Sequence, residues 1–364
     1  MTRVLFLPDF GSSNEYQNLL RDSIESEEFE TVGGTLHAVF PLLRNVVNED
    51  IDIVHLIWTH PFFITQDLTS FRSVNTIATY FRAVLFVLDL LLVKAYGTEI
   101  VWTIHNKHNH EREHIHLDHA VSILTARIAS EMTVECSRAK EVISDLFRIG
   151  SNRRIHVIEE GSYIDSYPNT VNKETAREQL GIKSETRLFV YFGQIRRYKG
   201  VDKLIEAFRR ADLLNTKLLV VGNPFNERIE TELQRTTDQV NTVDTVFEFV
   251  PNDEIQLYMN AADVVTLPYR DILTSGSVLL AMSFGKPVVT PNLGCISALA
   301  GGKGNFIYDE NSVQGLQTAL ESAGDASSGE LDAVGHRNFE TAEELTWDTV
   351  GEKTRRVYSA AIAD

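Results

Sequence analysis

Residues 272–291 read ILTSGSVLLAMSFGKPVVTP. A hydroxyl-rich turn around one glycine runs into an apolar, helix-like stretch, which stops at Gly285 before Pro287 opens a β-branched pair. VVTLPY (264–269) precedes the turn and reads as a buried strand. The whole is therefore strand, turn, helix, strand, the repeating unit of a parallel sheet covered by helices. No side chain in T-S-G-S is larger than threonine. Two readings follow. Ser275 or Ser277 caps the helix in the ordinary way, or an anion lies on the bare N–H groups and the positive helix end. Gly276 would let such a ligand approach the backbone closely.

The same alternation runs outward in both directions. RVLFLP (3–8), DIVHLIW (52–58), EIVWTIH (99–105), MTVEC (132–136) and IHVIEE (155–160) read as buried strands, with helical patterns such as VSILTARIASE between them. NTVNKETAREQLGIKSETR follows Tyr167-Pro168-Asn169, with a Thr/Asn cap at its start and Gly181 as a stop. Strands then resume with RLFVYFG (187–193), KLLVVGN (217–223), VFEFV (246–250), VVTLPY and PVVTP (287–291). ADLL, IETELQRTTDQV, DEIQLYMNAA and GSVLLAMSF supply helical material between them, and SAGDASSGE (322–330) reads as a polar loop. The expected fold class is α/β, with two doubly wound, Rossmann-like parallel-sheet domains, residues 1–168 and 169–345. Residues 346–364 form a late amphipathic helix expected to pack back on the first domain.

A length of 364 residues fits two cores better than one. Apolar residues make up 43% and charged residues 23%, the balance of a soluble globular protein. A formal charge of −17 repels nucleic-acid backbones, so no nucleic-acid partner is expected and any phosphate site has to be made locally. Cys136 and Cys295 stand far apart in sequence, so neither a disulfide framework nor a cysteine zinc site is expected, and a cytoplasmic location fits. The apolar run before Pro8 is too short for a signal-peptide core. AVLFVLDLLLVKAYG (83–97) contains Asp89 and Lys94 and falls short of a spanning helix. It reads as a buried or membrane-grazing amphipathic helix, with burial favoured.

A second stretch bears on the turn. FGQIRRYKGVDKLIEAF (192–208) ends a strand at Gly193, then sets Arg196, Arg197 and Lys199 before Gly200 and a helix. Cations at a strand's carboxyl end lie where open α/β sheets bind ligands, and suit a diphosphate. The bland alternative is a solvated basic loop. No G-x-G-x-x-G follows the first strand, where PDFGSSNEYQ stands, so no dinucleotide cofactor is expected. FGKP lacks the Walker A pattern.

These stretches, together with LLVVGNP and FVPNDEIQLYMNAADVVTLPY, resemble the donor-binding domain of GT-B glycosyltransferases, in particular the family-4-like, group 1 enzymes. DIVHLIWTHPF, EIVWTIHNKHNHE and EEGSYIDSYPN in the first half resemble a subset of the same enzymes, and the tail with Trp347 and Tyr358 resembles their closing helix. The resemblance implies a GT-B architecture whose two domains face a central cleft. It also implies transfer of a sugar from a nucleotide diphosphate sugar to a saccharide or lipid-linked acceptor in glycan biosynthesis, without a cofactor or an obligatory metal. Lys199 occupies the place of the family's diphosphate-contacting lysine. The arginine usual five residues earlier is Gln194, so Arg196 or Arg197 has to supply that charge. Gly193, Thr274, Ser275, Gly276 and Ser277 complete the expected donor site, with the backbone around Phe249 and Val250 facing the base. His105 matches a histidine near the donor sugar and phosphate.

Two departures stand out. The family's two glutamates eight residues apart are Ile272 and Leu280, which leaves retaining stereochemistry open. The histidine before glycine in the interdomain segment is Glu160. An inverting transfer needs a general base, and Asp9 and Glu111 are the candidates besides their bland roles as turn or cap formers. His110-Glu111-Arg112-Glu113-His114 matches H-E-x-x-H, so a zinc hydrolase is a remote alternative, with His116 and His119 as further ligands. Its place after a buried strand suits a loop better. The same fold would also serve a non-catalytic glycosyltransferase-like subunit or a GT-B epimerase. Trp58, His55 and His60 either line an acceptor site or belong to the core. Basic residues around 79–96 allow peripheral contact with the inner face of a membrane.

Overall fold

Every strand in the chain is parallel to its neighbours, and each is built from the β-branched and aromatic runs that a sheet covered on both faces requires. The computed structural model describes all residues except 12–13, 38, 66–70, 110, 151–153, 239 and 364. The chain divides into two units, one of Met1–Glu160 with Trp347–Asp364, the other of Gly161–Thr346. His110, the first residue of the H-E-x-x-H match, lies outside the described residues.

The first unit holds β1 (Thr2–Leu7), β2 (Phe29–Gly33), β3 (Ile53–Leu56), β4 (Glu99–Thr103), β5 (Glu131–Val134) and β6 (Ile155–Val157), in the order β2-β1-β3-β4-β5-β6. The helix Trp347–Ala363 belongs to this unit because its apolar stripe completes the core. Val350, Val357, Tyr358 and Ala361 pack with Val4, Phe6, Leu20 and Ile24. Gly351 lets the helix touch the Glu15–Ile24 helix, since a Cβ there would lie 1.9 Å from the Ser23 carbonyl oxygen. The Tyr358 hydroxyl lies 2.6 Å from His55 Nδ1.

The second unit holds β7 (Arg187–Phe192), β8 (Thr216–Val221), β9 (Val243–Val246), β10 (Val264–Thr266), β11 (Val288–Pro291) and β12 (Phe306–Tyr308), in the order β12-β11-β10-β7-β8-β9. The strand order reverses between β7 and β10, and a crevice opens outside the carboxyl ends at such a switch point. Asn172 caps the Lys173–Gln179 helix by accepting from Thr175 N at 2.9 Å, and Gly181 follows at φ 66°, as the sequence signals predict.

Several sequence expectations are corrected. Two of the four edge strands, β2 and β12, are absent from the sequence reading; each is short and only partly buried, so its hydrophobic pattern is weak. The VFEFV strand lies earlier, at Val243–Val246, because pairing with β8 runs from Leu218–Val243 to Val221–Val246 and leaves Phe249 exposed. ADLL is not helical: the helix Val201–Arg210 ends at the Ala211 cap. SAGDASSGE is mostly helical, with Gly315–Asp325 ending in it and Ser328–Glu344 starting from a Ser327–Glu330 capping box.

Candidate active site

At the switch point of the second unit, β7 ends at Phe192 and Gly193 takes φ 129°, a conformation open to glycine. The space a side chain would fill there is taken by two others. A Cβ on Gly193 would sit 3.3 Å from Lys199 Nζ and 3.4 Å from Ser277 Oγ. Strand end, lysine and hydroxyl turn, expected from sequence to share one site, meet at one point.

Local contacts hold the two loops together. The 3-10 turn Arg197–Lys199 ends at Gly200 with φ 72°, where a Cβ would lie 2.1 Å from the Pro268 carbonyl oxygen. Arg270 locks the same junction: its backbone N–H donates to Tyr198 O at 2.8 Å, and its guanidinium donates to Arg197 O at 3.0 Å and to Asp202 at 2.6 Å. On the far side, Ile195 bridges to Pro224 beside the β8 end. Gly294, at φ 51°, packs under the Leu273 carbonyl, which accepts from Cys295 N at 2.7 Å.

Ser275 is buried and caps the Gly276–Ser283 helix, accepting from Val278 N at 3.2 Å and lying 2.7 Å from the Tyr269 hydroxyl. The capping reading therefore holds for Ser275, whereas Ser277 Oγ is turned to the Lys199 corner. Gly276 is the first helical residue, and Thr274 is half-buried before it. Lys199 is half-buried, and burial together with the Arg196 charge lowers its pKa to about 8. It is still mostly cationic at neutral pH.

The two arginines separate. Arg196 stacks over the Phe225 ring at 4.3 Å and donates to Gln194 at 2.9 Å, beside Lys199. Arg197 is exposed and donates to Glu232 at 2.7 Å on the helix Glu227–Thr237. Val250 is buried in the loop beyond β9, and Phe249 beside it is 74% exposed. Ile272 is half-buried and Leu280 buried, so no carboxylate enters from either position.

The first unit carries its own cluster at the strand carboxyl ends. His105, just past β4, is buried, and its Nδ1 lies 3.0 Å from Glu135, just past β5. Trp58 stacks on His105 at 5.4 Å and Tyr16 meets its edge at 4.8 Å. Burial and the charges of Glu135 and Glu160 hold the Tyr16 hydroxyl pKa well above its usual value. A pocket lined by Trp58, His60, His105, Asn106, Lys107 and Asn109 opens here. Glu135 and Tyr16 are the residues the sequence reading missed. A lone glutamate at a strand end carries no pattern, and its pairing with a histidine 30 residues away is decided by strand order alone.

Asp9 accepts from Gly11 N at 2.8 Å and pairs with Arg21 at 3.6 Å, the geometry of a turn former. Phe10 beside it meets Trp58 at 5.3 Å, so the Asp9 loop reaches the His105 cluster. Glu111 sits in a turn where Arg112 and His114 have positive φ, and the helix begins only at Ile115. Glu111 and His114 therefore do not share a helical face. No metal-holding group of three ligands exists among the described residues. His55 belongs to the core: it is fully buried between Tyr358 and Thr103, and burial lowers its pKa to about 3.

Comparisons with known proteins bear on the family and the fold. Residues 172–330 match the family glycosyl transferases group 1. A GDP-mannose:glycolipid 4-beta-D-mannosyltransferase of Xanthomonas campestris pv. campestris is 24% identical over 96% of this chain and 91% of its own. A D-inositol 3-phosphate glycosyltransferase of Corynebacterium glutamicum is 24% identical over 58% of this chain and 53% of its own. The Anabaena HepE structure in complex with UDP and glucose superposes with TM-score 0.72 at 16% identity, covering 99% of this chain and 100% of that one. Sucrose-phosphate synthase of Thermosynechococcus elongatus gives 0.75 at 15% identity, with both chains fully covered. Both structural likenesses concern the fold, two parallel sheets flanked by helices.

Proposed function

Because this chain is a glycosyltransferase of the GT-B fold with a group 1 donor domain, we propose that its second unit holds a nucleotide diphosphate sugar against Lys199 and that its acceptor is a lipid-linked saccharide. The observation that carries this is the meeting of Gly193, Lys199 and Ser277 at the sheet's switch point. A diphosphate there receives the Lys199 ammonium, the nearby Arg196 guanidinium and the first N–H groups of the Gly276–Ser283 helix. Cations and helix end together offset the charge that grows on the leaving group, the term on which such a transfer depends most. The chemistry needs no cofactor, and the cationic set gives the diphosphate its partners without an obligatory metal.

The transfer is inverting in this reading. The acidic pair of retaining relatives is absent at Ile272 and Leu280, and the full-length Xanthomonas relative is named as forming a β-mannoside. In the first unit, His105 acts as the base, with Nδ1 held by Glu135. The acceptor hydroxyl gives its proton to His105 Nε2, its oxygen bonds to the anomeric carbon, and the bond from that carbon to the phosphate oxygen breaks. The electron pair leaves with the nucleoside diphosphate. Asp9 and Glu111 are secondary candidates, the first being tied to Arg21. A cytoplasmic enzyme at the inner face of a membrane fits an acceptor of this kind.

The test is a thermal-shift panel of GDP-, UDP- and ADP-sugars on wild type and Lys199→Ala, followed by product analysis with a lipid-linked saccharide. One nucleotide sugar is expected to stabilise wild type, to lose most of that shift in the variant, and to yield a product of inverted anomeric configuration. No stabilisation by any nucleotide sugar would overturn the donor reading, and binding without product would make the chain a non-catalytic subunit.

A further inference from the structure

The helix Arg72–Tyr96 is apolar on both sides. Its buried face carries Ala83, Phe86, Leu90 and Val93 together with Asn75, Thr79 and Asp89, yet Val74, Ile77, Phe81, Val84, Leu88 and Leu91 are exposed, Ile77 at 71%. Asp89, whose presence in sequence argued against a spanning helix, points inward. Its carboxylate accepts from the N–H groups of Leu42 and Leu43 at 2.8 and 3.0 Å, capping the Pro41–Glu49 helix. The helix's other described charges are also engaged at its flanks: Arg82 donates to Phe62 O at 3.2 Å, and Lys94 pairs with Glu99. Among the described residues, none of the exposed positions on this helix is charged.

With Tyr80 and Tyr96 at its margins, the apolar arc spans about 160° at 3.6 residues per turn. A two-helix seam needs only a narrow stripe flanked by charge, so a single helix partner would leave the sides of this arc wet. The area argues the same way. A helix of 25 residues offers a face roughly 37 Å by 10 Å, so a second copy seated on it would bury roughly 750 Å² in total, below the roughly 1,200–2,000 Å² of stable interfaces. The helix cannot cross a bilayer while its inner face packs in the first unit against Pro41–Glu49 and Ile115–Ile128. It can lie in one, apolar side down.

The geometry points to the outer face of Arg72–Tyr96 as a surface that docks flat into the acyl region of a bilayer, by apolar burial rather than by charge. This deepens the proposed function and rests on it only for the lipid-linked acceptor. With a net charge of −17 and no exposed described cation on the helix, attachment gains nothing from anionic headgroups.

The test is flotation of the full chain with vesicles of phosphatidylcholine alone or mixed with phosphatidylglycerol, in low and molar salt. Flotation on phosphatidylcholine, undiminished by salt and no stronger on the anionic mixture, is expected. Ile77→Glu with Phe81→Glu is expected to reduce the vesicle-bound fraction about tenfold or more while leaving the melting temperature and the nucleotide-sugar shift unchanged. As a second readout, Phe81→Trp is expected to shift its emission to the blue on adding phosphatidylcholine vesicles. Flotation only on anionic vesicles with release by salt, absence of flotation, or a dimer in light scattering that the double substitution dissolves would each overturn the proposal. A chain that floats yet transfers no sugar would sink the functional reading instead. The double variant is expected to keep transfer to a water-soluble acceptor.

Discussion

Lys199 shows how far one residue can be read. The family resemblance marked it as the expected diphosphate cation, while its lowered pKa depends on burial and on Arg196, which only the fold supplies. With a folded pKa of about 8 against 10.5 for the free group, the unfolded chain binds more protons between those values. The contribution of Lys199 to apo stability therefore rises as pH climbs through that window. Donor affinity moves the other way, because the diphosphate needs the protonated form. Calorimetric titration with the nucleoside diphosphate is expected to show affinity falling by up to about tenfold per pH unit above about 8, and Lys199→Arg to flatten that profile. The His105–Glu135 pair gives a second test at this scale. His105→Asn is expected to lower kcat by about 100-fold or more with little change in donor binding. Glu135→Gln is expected to lower kcat less and to displace the pH–rate profile, a displacement that loss of packing alone would not produce.

Between elements, close backbone approach decides the site. Gly193→Ala puts a methyl against Lys199 Nζ and Ser277 Oγ at a φ that L-residues avoid. About 1–2 kcal/mol of stability and most of the nucleotide-induced thermal shift are expected to be lost. Ser275→Ala removes the helix cap and the Tyr269 contact, for about 1–2 kcal/mol by denaturant titration. If that substitution is neutral, the cap does not order the turn. Both glycines and the hydroxyl turn were legible in sequence. That Ser275 caps while Ser277 turns to the lysine was not, because both serines stand within one residue of the helix start and rotate apart only once the helix axis is fixed.

In the whole molecule, the closing helix is a core element of the first unit. Truncation before Trp347 strips Tyr358 and Val357 from that core, and loss of one large buried aromatic alone costs about 3–5 kcal/mol. The truncated chain is expected to lose the unfolding transition of the first unit and to keep the nucleotide-induced shift of the second. His55 links this core to pH. Its folded pKa of about 3 lies below the unfolded 6.5, so the unfolded chain takes up a proton first, and the stability His55 contributes is lost as pH falls from 6.5 towards 3. Melting of the first unit followed across that range is expected to show a steeper decline in wild type than in His55→Gln.

By itself the sequence determined that the chain alternates strands and helices in two halves, and where the basic loop and the hydroxyl turn lie, because hydrophobic period, capping and turn residues act over a few neighbours. It could not settle the edge strands β2 and β12, whose patterns are weak, or the partner of His105, which strand order selects from across 30 residues. The outward face of Arg72–Tyr96 lay beyond it too. An apolar helix reads the same buried or bare, and only packing decides which side Asp89 turns inward.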